Sequence, residues 1–263
     1  MDDDRASGPL GSPALRVLRE QLGRAFGGLA FPGSCLVCDS WAGADRASAG
    51  LCDDCRDELL DAAGPACRRC ALPVGPFATR EDGCGDCSGR RLGFDAALAI
   101  GPYHGPIRHL CLRLKSARGA WLAPQLIDIL VEARAEELAY ADARAVVPVA
   151  LHPFRHWQRR YNQAEALAQA LADRLGLPMV RGLRRVRPTS ALWRAGRVER
   201  HRQMRGAFQA HRRRLASLAG APVLLVDDIL TTGATCSAAS RALKRAGVGS
   251  VVAVVIGRAE GRG

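Results

Sequence analysis

Lysine is almost missing from this 263-residue chain: of 38 basic side chains only Lys115 and Lys244 are lysines, so arginine carries nearly all of a net charge of +12. Long uncharged apolar runs are absent too, which argues against a membrane span. No GxxxxGK[ST] string occurs, and a P-loop is thereby excluded. Met1-Asp2-Asp3-Asp4 is acidic where a secretory leader is basic, so the expectation is a cytoplasmic protein. Acids themselves become scarce toward the C-terminus. Residues 1–90 hold 10 basic and 14 acidic side chains, whereas residues 91–263 hold 28 and 12. A strongly basic domain points to polyanionic ligands, either phosphorylated small molecules or nucleic acid.

The length accommodates one α/β domain of ordinary size and a smaller module. Residues 1–13, rich in Asp, Ser, Gly and Pro, are expected to be disordered. Leu15, Leu18, Leu22 and Phe26 recur at helical spacing, so residues 1–30 read as a disordered start followed by a short amphipathic helix.

Residues 31–90 hold an internal duplication. Cys35-x2-Cys38 and Cys52-x2-Cys55 are separated by 13 residues, and after 11 more, Cys67-x2-Cys70 and Cys84-x2-Cys87 repeat the interval of 13. Two such knuckles complete the tetrahedral shell of four sulfurs around a structural Zn²⁺, so eight cysteines imply two zinc ions. A full thiolate set leaves no open position for catalysis. The alternative, a disulfide framework, conflicts with a cytosolic location, where thiols stay reduced. Sequential pairing, one ribbon per repeat, is expected; spacing alone leaves a cross-braced arrangement open. So short a segment has little apolar core, and metal coordination must supply its folding free energy.

From residue 91 the pattern is globular. Phe94 to Tyr103 reads as a strand, Ile107, Leu110, Cys111 and Leu114 as a helix face, and Trp121 to about Tyr140 as one helix with Pro124 in its first turn. Ala145 to Leu151 reads as a second strand interrupted by Pro148, and an alanine-rich helix follows Tyr161-Asn162-Gln163 as far as Leu175. Ser250 to Ile256 closes the sheet. Residues 181–214 contain 12 arginines and one acid, Glu199, with Trp193 and His201 interleaved. The nucleic-acid candidates here are Arg184, Arg185, Arg187, Arg197, Arg200, Arg202 and Arg205, which are equally readable as a solvated Arg-rich surface. Cys111 lies on an apolar stripe. Cys236 falls in a helix first turn that is able to lower a thiol pKa, but the expectation for both is packing.

The clearest chemistry lies at 221–237. Val223 to Val226 is an apolar run suited to a strand buried on both faces of a parallel sheet, and Ala234 to Arg245 is helix-compatible. Between them Asp227 and Asp228 suit vicinal sugar hydroxyls or a divalent cation. Thr231, Thr232 and Thr235 offer hydroxyls, Gly233 admits close backbone approach, and the helix start points N–H groups at an anion.

This order, an apolar run followed by Asp-Asp-x-x-Thr-Thr-Gly-Ala-Thr, resembles the 5-phosphoribosyl-1-pyrophosphate (PRPP) loop of type I phosphoribosyltransferases. Together with the cysteine repeats, Arg113-Leu114-Lys115 and the segment Val147 to Glu165, it resembles the ComF family over roughly residues 31–257. That resemblance implies an α/β, type I phosphoribosyltransferase-like fold over residues 91–263, with a mostly parallel sheet flanked by helices. It implies a double zinc ribbon over residues 31–90 and a role in DNA uptake during natural competence. Asp227 and Asp228 would hold the ribose hydroxyls of PRPP with Mg²⁺, and Thr231, Thr232, Gly233, Ala234 and Thr235 the 5-phosphate. Val149, Ala150, Leu151 and His152 would face the pyrophosphate. Arg155 to Arg160, including Arg159, would form a mobile flap, Asn162 and Gln163 would border the site, and Lys115 would touch phosphate. Asp227, Asp228, Lys115 and Arg155 are then the catalytic candidates, and single-stranded DNA and other DNA-uptake proteins the implied partners. The chain departs from the family at Thr189-Ser190-Ala191-Leu192 and at Gln203, which bears on the nucleophile pocket. Purine-salvage phosphoribosyltransferases carry an acid where Thr231 stands, so a base of that kind is absent here.

Overall fold

A computed structural model describes residues 35–40, 50–75, 83–116, 119–151, 161–187 and 197–260. The expected disordered start, the helix at Leu15 to Phe26, His152, Arg155, Arg159, Arg160, the Thr189 to Leu192 departure and Trp193 lie outside these residues, as do the side chains of Arg197, Arg200 and His201. By contact density the chain divides into two units, Met1–Cys55 and Arg56–Gly263. The division falls within the helix α1, Asp53–Asp61, which opens on the acids favoured at a positive helix N-terminus.

In the second unit four parallel strands lie in the order β1 (Ala96–Pro102), β7 (Val251–Arg258), β5 (Val223–Val226), β2 (Ala145–Pro148), and the two-residue β6 (Ile229–Leu230) also pairs with β7. Their side chains alternate between two buried layers, as a sheet covered on both faces requires. Ala97, Ala99, Val147, Leu225, Ala253 and Val255 join a core with α8 (Ala234–Arg245) and with the small antiparallel pair β3 (Leu183–Arg185) and β4 (Phe208–Ala210). Against the sheet also pack α2 (Gly105–Leu114) on β1 and β7, α3 (Ala123–Ala133) on β1, and α5 (Gln163–Leu175) on β2 and β5. The remaining helices are α4 (Ala135–Tyr140), α6 (Arg197–Met204) and the single turn α7 (Arg212–Leu215).

Two expected elements are shorter than their patterns. The helix expected from Trp121 to Tyr140 is a 3₁₀ turn, Gly119–Leu122, followed by α3 and α4 with a break at Arg134 (φ −132°, ψ 30°). Arg134 is 7% exposed. Its Nε donates to the Ala99 carbonyl (2.8 Å), and its Nη2 to those of Gly64 (3.1 Å) and Ile100 (3.4 Å), so the backbone turns to deliver a charge to edge carbonyls. The strand expected to reach Leu151 ends at Pro148. There Val146 bonds outward to the Pro178 and Val180 backbone, Val149 donates inward to Val226, and alternation puts the missing proline N–H on the outer side. In the other direction, β7 continues two residues beyond the expected Ile256, where Gly257 and Arg258 pair with β1 on one side and β6 on the other.

Candidate functional site

The ladder between β5 and β7 runs to Val226↔Val254, and the ladder between β6 and β7 resumes in the same register at Ile229↔Gly257. Between them sit Asp227 and Asp228. The Asp227 N–H donates to the Val254 carbonyl (3.1 Å), and the Asp228 carbonyl accepts from Ile256 (3.1 Å) and Gly257 (3.2 Å), which pins both residues at the carboxyl end of β5. The Asp227 carboxylate accepts from the Asp228 amide (2.9 Å). Burial and then the neighbouring charge of Asp228 hold the Asp227 carboxyl well above its ordinary pKa. Asp228 is 8% exposed, lies 3.2 Å from Lys115 Nζ and accepts from Gln163 Nε2 (3.4 Å).

Beyond the acids the chain turns through Thr231 and Thr232 into α8. Gly233 has φ 77°, a left-handed conformation that favours glycine, while an added Cβ would meet the Phe94 ring at an ordinary contact distance of 3.4 Å, so conformation rather than space selects glycine. The Thr232 hydroxyl accepts from the Ala234 N–H (3.3 Å), which ties the loop to the first residue of α8, whose N-cap is Gly233. Opposite, Asn162 is the N-cap of α5: Oδ1 accepts from Ala164 (3.1 Å), and Nδ2 donates to the Val149 carbonyl (3.2 Å). That side chain is occupied in shaping the loop after β2.

These parts enclose one cavity of about 450 Å³. Of the expected ligand residues, Lys115, Val149, Ala150, Leu151, Asn162, Asp227, Asp228, Thr231, Thr232, Ala234 and Thr235 line it. Gln163, expected on its border, lines it as well, with Oε1 buried and lacking a hydrogen-bond partner among the described residues. Tyr103, Met204 and Arg185 are additions that no pattern indicated. Arg185, read as a nucleic-acid candidate, lines this cavity, with its guanidinium carbon 5.6 Å from the Phe208 ring centroid and Nη2 3.7 Å from the Met204 sulfur. Of the other candidates, Arg184 bonds Gln209, Arg187 the Arg205 carbonyl (3.2 Å), and Arg202 pairs with Glu199 (2.9 Å). Cys111 and Cys236 are buried, and burial raises both thiols above their ordinary pKa, as packing residues require.

The cysteines gather as Cys35, Cys38, Cys52 and Cys55, and as Cys67, Cys70, Cys84 and Cys87, so pairing is sequential. A Zn–S bond of about 2.3 Å sets a tetrahedral S···S edge of about 3.8 Å. The separations are 3.7 Å for Cys38–Cys52, and 3.7, 3.5 and 3.8 Å for Cys67–Cys87, Cys70–Cys84 and Cys84–Cys87. Both sets fit structural zinc.

Residues 27–88 match the family model for a double zinc ribbon domain, and residues 162–263 match that for a phosphoribosyl transferase domain. Competence protein F of Haemophilus influenzae is 30% identical over 217 residues, 76% of this chain and 86% of that protein. The DNA utilization protein YhgH is 28% identical over 235 residues in Salmonella typhi and 27% over 241 in Escherichia coli K12. Each alignment covers 85% of this chain and 96% of the relative.

At Gly83, φ is 91° and a Cβ would stand 2.7 Å from Cys87 Sγ. Gly83→Ala is therefore expected to weaken zinc binding at the second cluster by on the order of tenfold or more. In a chelator titration half of the zinc should leave at lower chelator concentration than in wild type; a release profile identical to that of wild type would contradict this geometry.

Proposed function

Because the chain belongs to the ComF family, we propose that its Arg56–Gly263 unit binds PRPP with Mg²⁺, is a phosphoribosyltransferase-type protein, and serves DNA uptake in natural competence, a reading supported by relatives named for competence and for DNA utilization. The observation that carries this reading is the single cavity in which adjacent carboxylates adjoin a threonine loop that opens a helix. Asp227 and Asp228 take the ribose hydroxyls, and the α8 N-terminus with Thr231, Thr232 and Thr235 takes the 5-phosphate. The Val149 to Leu151 backbone borders the pyrophosphate, and Lys115 offers it ammonium donors. Two adjacent acids, one with a raised pKa, fit a divalent cation, which when bound would neutralise charge on the pyrophosphate. In the transfer, a nitrogen nucleophile forms a bond to ribose C1 as the C1–O bond breaks, and the electron pair departs with pyrophosphate. The residues contribute position and electrostatics, and none needs to attack the sugar.

A second reading, binding of single-stranded nucleic acid, is favoured by a separate cavity of about 490 Å³. It is lined by Arg91, Arg205, Arg241 and Arg245 with Gly206 and Ala238, and no acid. Burial, then repulsion from Arg245 and Arg205, lowers the Arg241 pKa; the group lies among like charges that an anion would relieve.

Replacing both acids, Asp227→Ala with Asp228→Ala, is expected to abolish binding of Mg²⁺-PRPP in calorimetry and to leave salt-dependent nucleic-acid affinity intact. In the wild type, protonation of Asp227 opposes the cation, so affinity should fall as pH falls through its raised pKa. A flat profile, or no heat with Mg²⁺-PRPP at all, would remove the PRPP reading. Arg241→Ala with Arg245→Ala should weaken binding of single-stranded oligonucleotides and reduce the slope of log affinity against log salt by roughly 0.7 per lost phosphate contact. An unchanged slope would exclude this cavity from the interface.

A further inference from the structure

Arg258, the last residue of β7, is 2% exposed, and its guanidinium joins two parts of the chain far apart in sequence. Nε donates to the Cys70 carbonyl (2.8 Å), Nη1 to the carbonyls of Leu230 (3.2 Å) and Thr231 (2.7 Å), and Nη2 to Asp86 Oδ2 (3.4 Å). Arg90 repeats the arrangement one residue further on. Its Nη2 donates to the Thr232 carbonyl (2.7 Å) and its Nη1 to Asp86 Oδ2 (2.6 Å) and the Asp86 carbonyl (3.1 Å). Three successive carbonyls at the mouth of the threonine loop are thus held by two arginines. The same arginines are anchored on Cys70, a ligand of the second cluster, and on Asp86, which lies between the ligands Cys84 and Cys87.

In a planar trans peptide the C=O and the following N–H point in opposite directions. Drawing the carbonyls of Leu230, Thr231 and Thr232 toward the knuckle therefore turns the N–H groups of Thr231, Thr232 and Gly233 the other way. Successive outward N–H groups are what an anion-binding nest requires. Conversely, a guanidinium as buried as that of Arg258 is stable only while its acceptors stay in place, so order in the knuckle and order in the loop depend on each other.

We propose that Arg258 and Arg90 are positioning residues through which the second four-cysteine cluster presets the phosphate loop, so that zinc at this cluster sets the loop's affinity for its anion. The consequence for ligand binding rests on the PRPP reading above; the mechanical coupling does not.

The test uses the full chain, with hydrogen–deuterium exchange over residues 227–236, calorimetry with Mg²⁺-PRPP, and thermal melting. Arg90→Gln, and Cys84→Ser at the cluster itself, are each expected to speed exchange across 227–236 by on the order of tenfold while α5 exchanges as in wild type. PRPP affinity should fall by a similar factor, with the melting temperature of Arg90→Gln unchanged. Should Arg258→Gln fail to fold, Arg90→Gln, whose side chain is 18% exposed, carries the test. Faster loop exchange in a chain whose wild type binds no PRPP would support the coupling and sink the ligand reading. A lowered melting temperature with wild-type loop exchange and affinity would reduce both arginines to structural roles, and unchanged loop exchange in Cys84→Ser would detach the zinc cluster from the loop.

Discussion

Two adjacent carboxylates interrupt a parallel ladder without shifting its register, and the rest of the site depends on that interruption. Because β5 and β6 pair with the same strand on either side, Asp227 and Asp228 cannot slide away from each other or into solvent. Holding them there is unfavourable for the bare protein, since burial and mutual repulsion raise the Asp227 pKa. Lys115 from the end of α2 and Gln163 from the start of α5 both reach Asp228 and offset part of this cost. Helices on different strands thus converge on one charged point, and the cavity is the space they leave.

A second constraint is metal. The knuckle of the second repeat has a small apolar cluster, Cys67, Cys70 and Cys87 with Leu72, Val74 and Leu92 beside them. Its order therefore comes from thiolate coordination and from charged hydrogen bonds to the sheet end rather than from core volume. Asp95 continues the attachment, accepting from Lys244 Nζ (2.6 Å) and from the Val251 amide (2.7 Å). No helix among the described residues is long and apolar enough to cross a membrane.

Much of this was legible in the order of residues. Parallel strands announce themselves as short apolar runs, and Val223 to Val226 is one. The acids and threonines of the loop are close in sequence, so their chemistry is visible without a fold, and the cysteine spacing gives the eight ligands and their count of two metals. The helix break at Arg134 was not legible, because nothing in Ala123 to Tyr140 disfavours a continuous helix. The reason for the break lies in the carbonyls of Gly64, Ala99 and Ile100. The place of Arg185 at the cavity was not legible for a related reason: in a run of arginines, sequence cannot distinguish the one that lies over Phe208.

Local chemistry, then, was settled by sequence alone: four cysteine knuckles, a paired-acid threonine loop and an excess of arginine, each written in neighbouring residues. Tertiary structure alone decided which thiols share a metal, that Tyr103, Gln163, Arg185 and Met204 meet at one cavity, and that Arg258 and Arg90 tie a knuckle to the loop. Those outcomes depend on contacts between residues up to 188 positions apart, as in the bond from Arg258 to Cys70. Such contacts exist only once the sheet has brought its strand ends together.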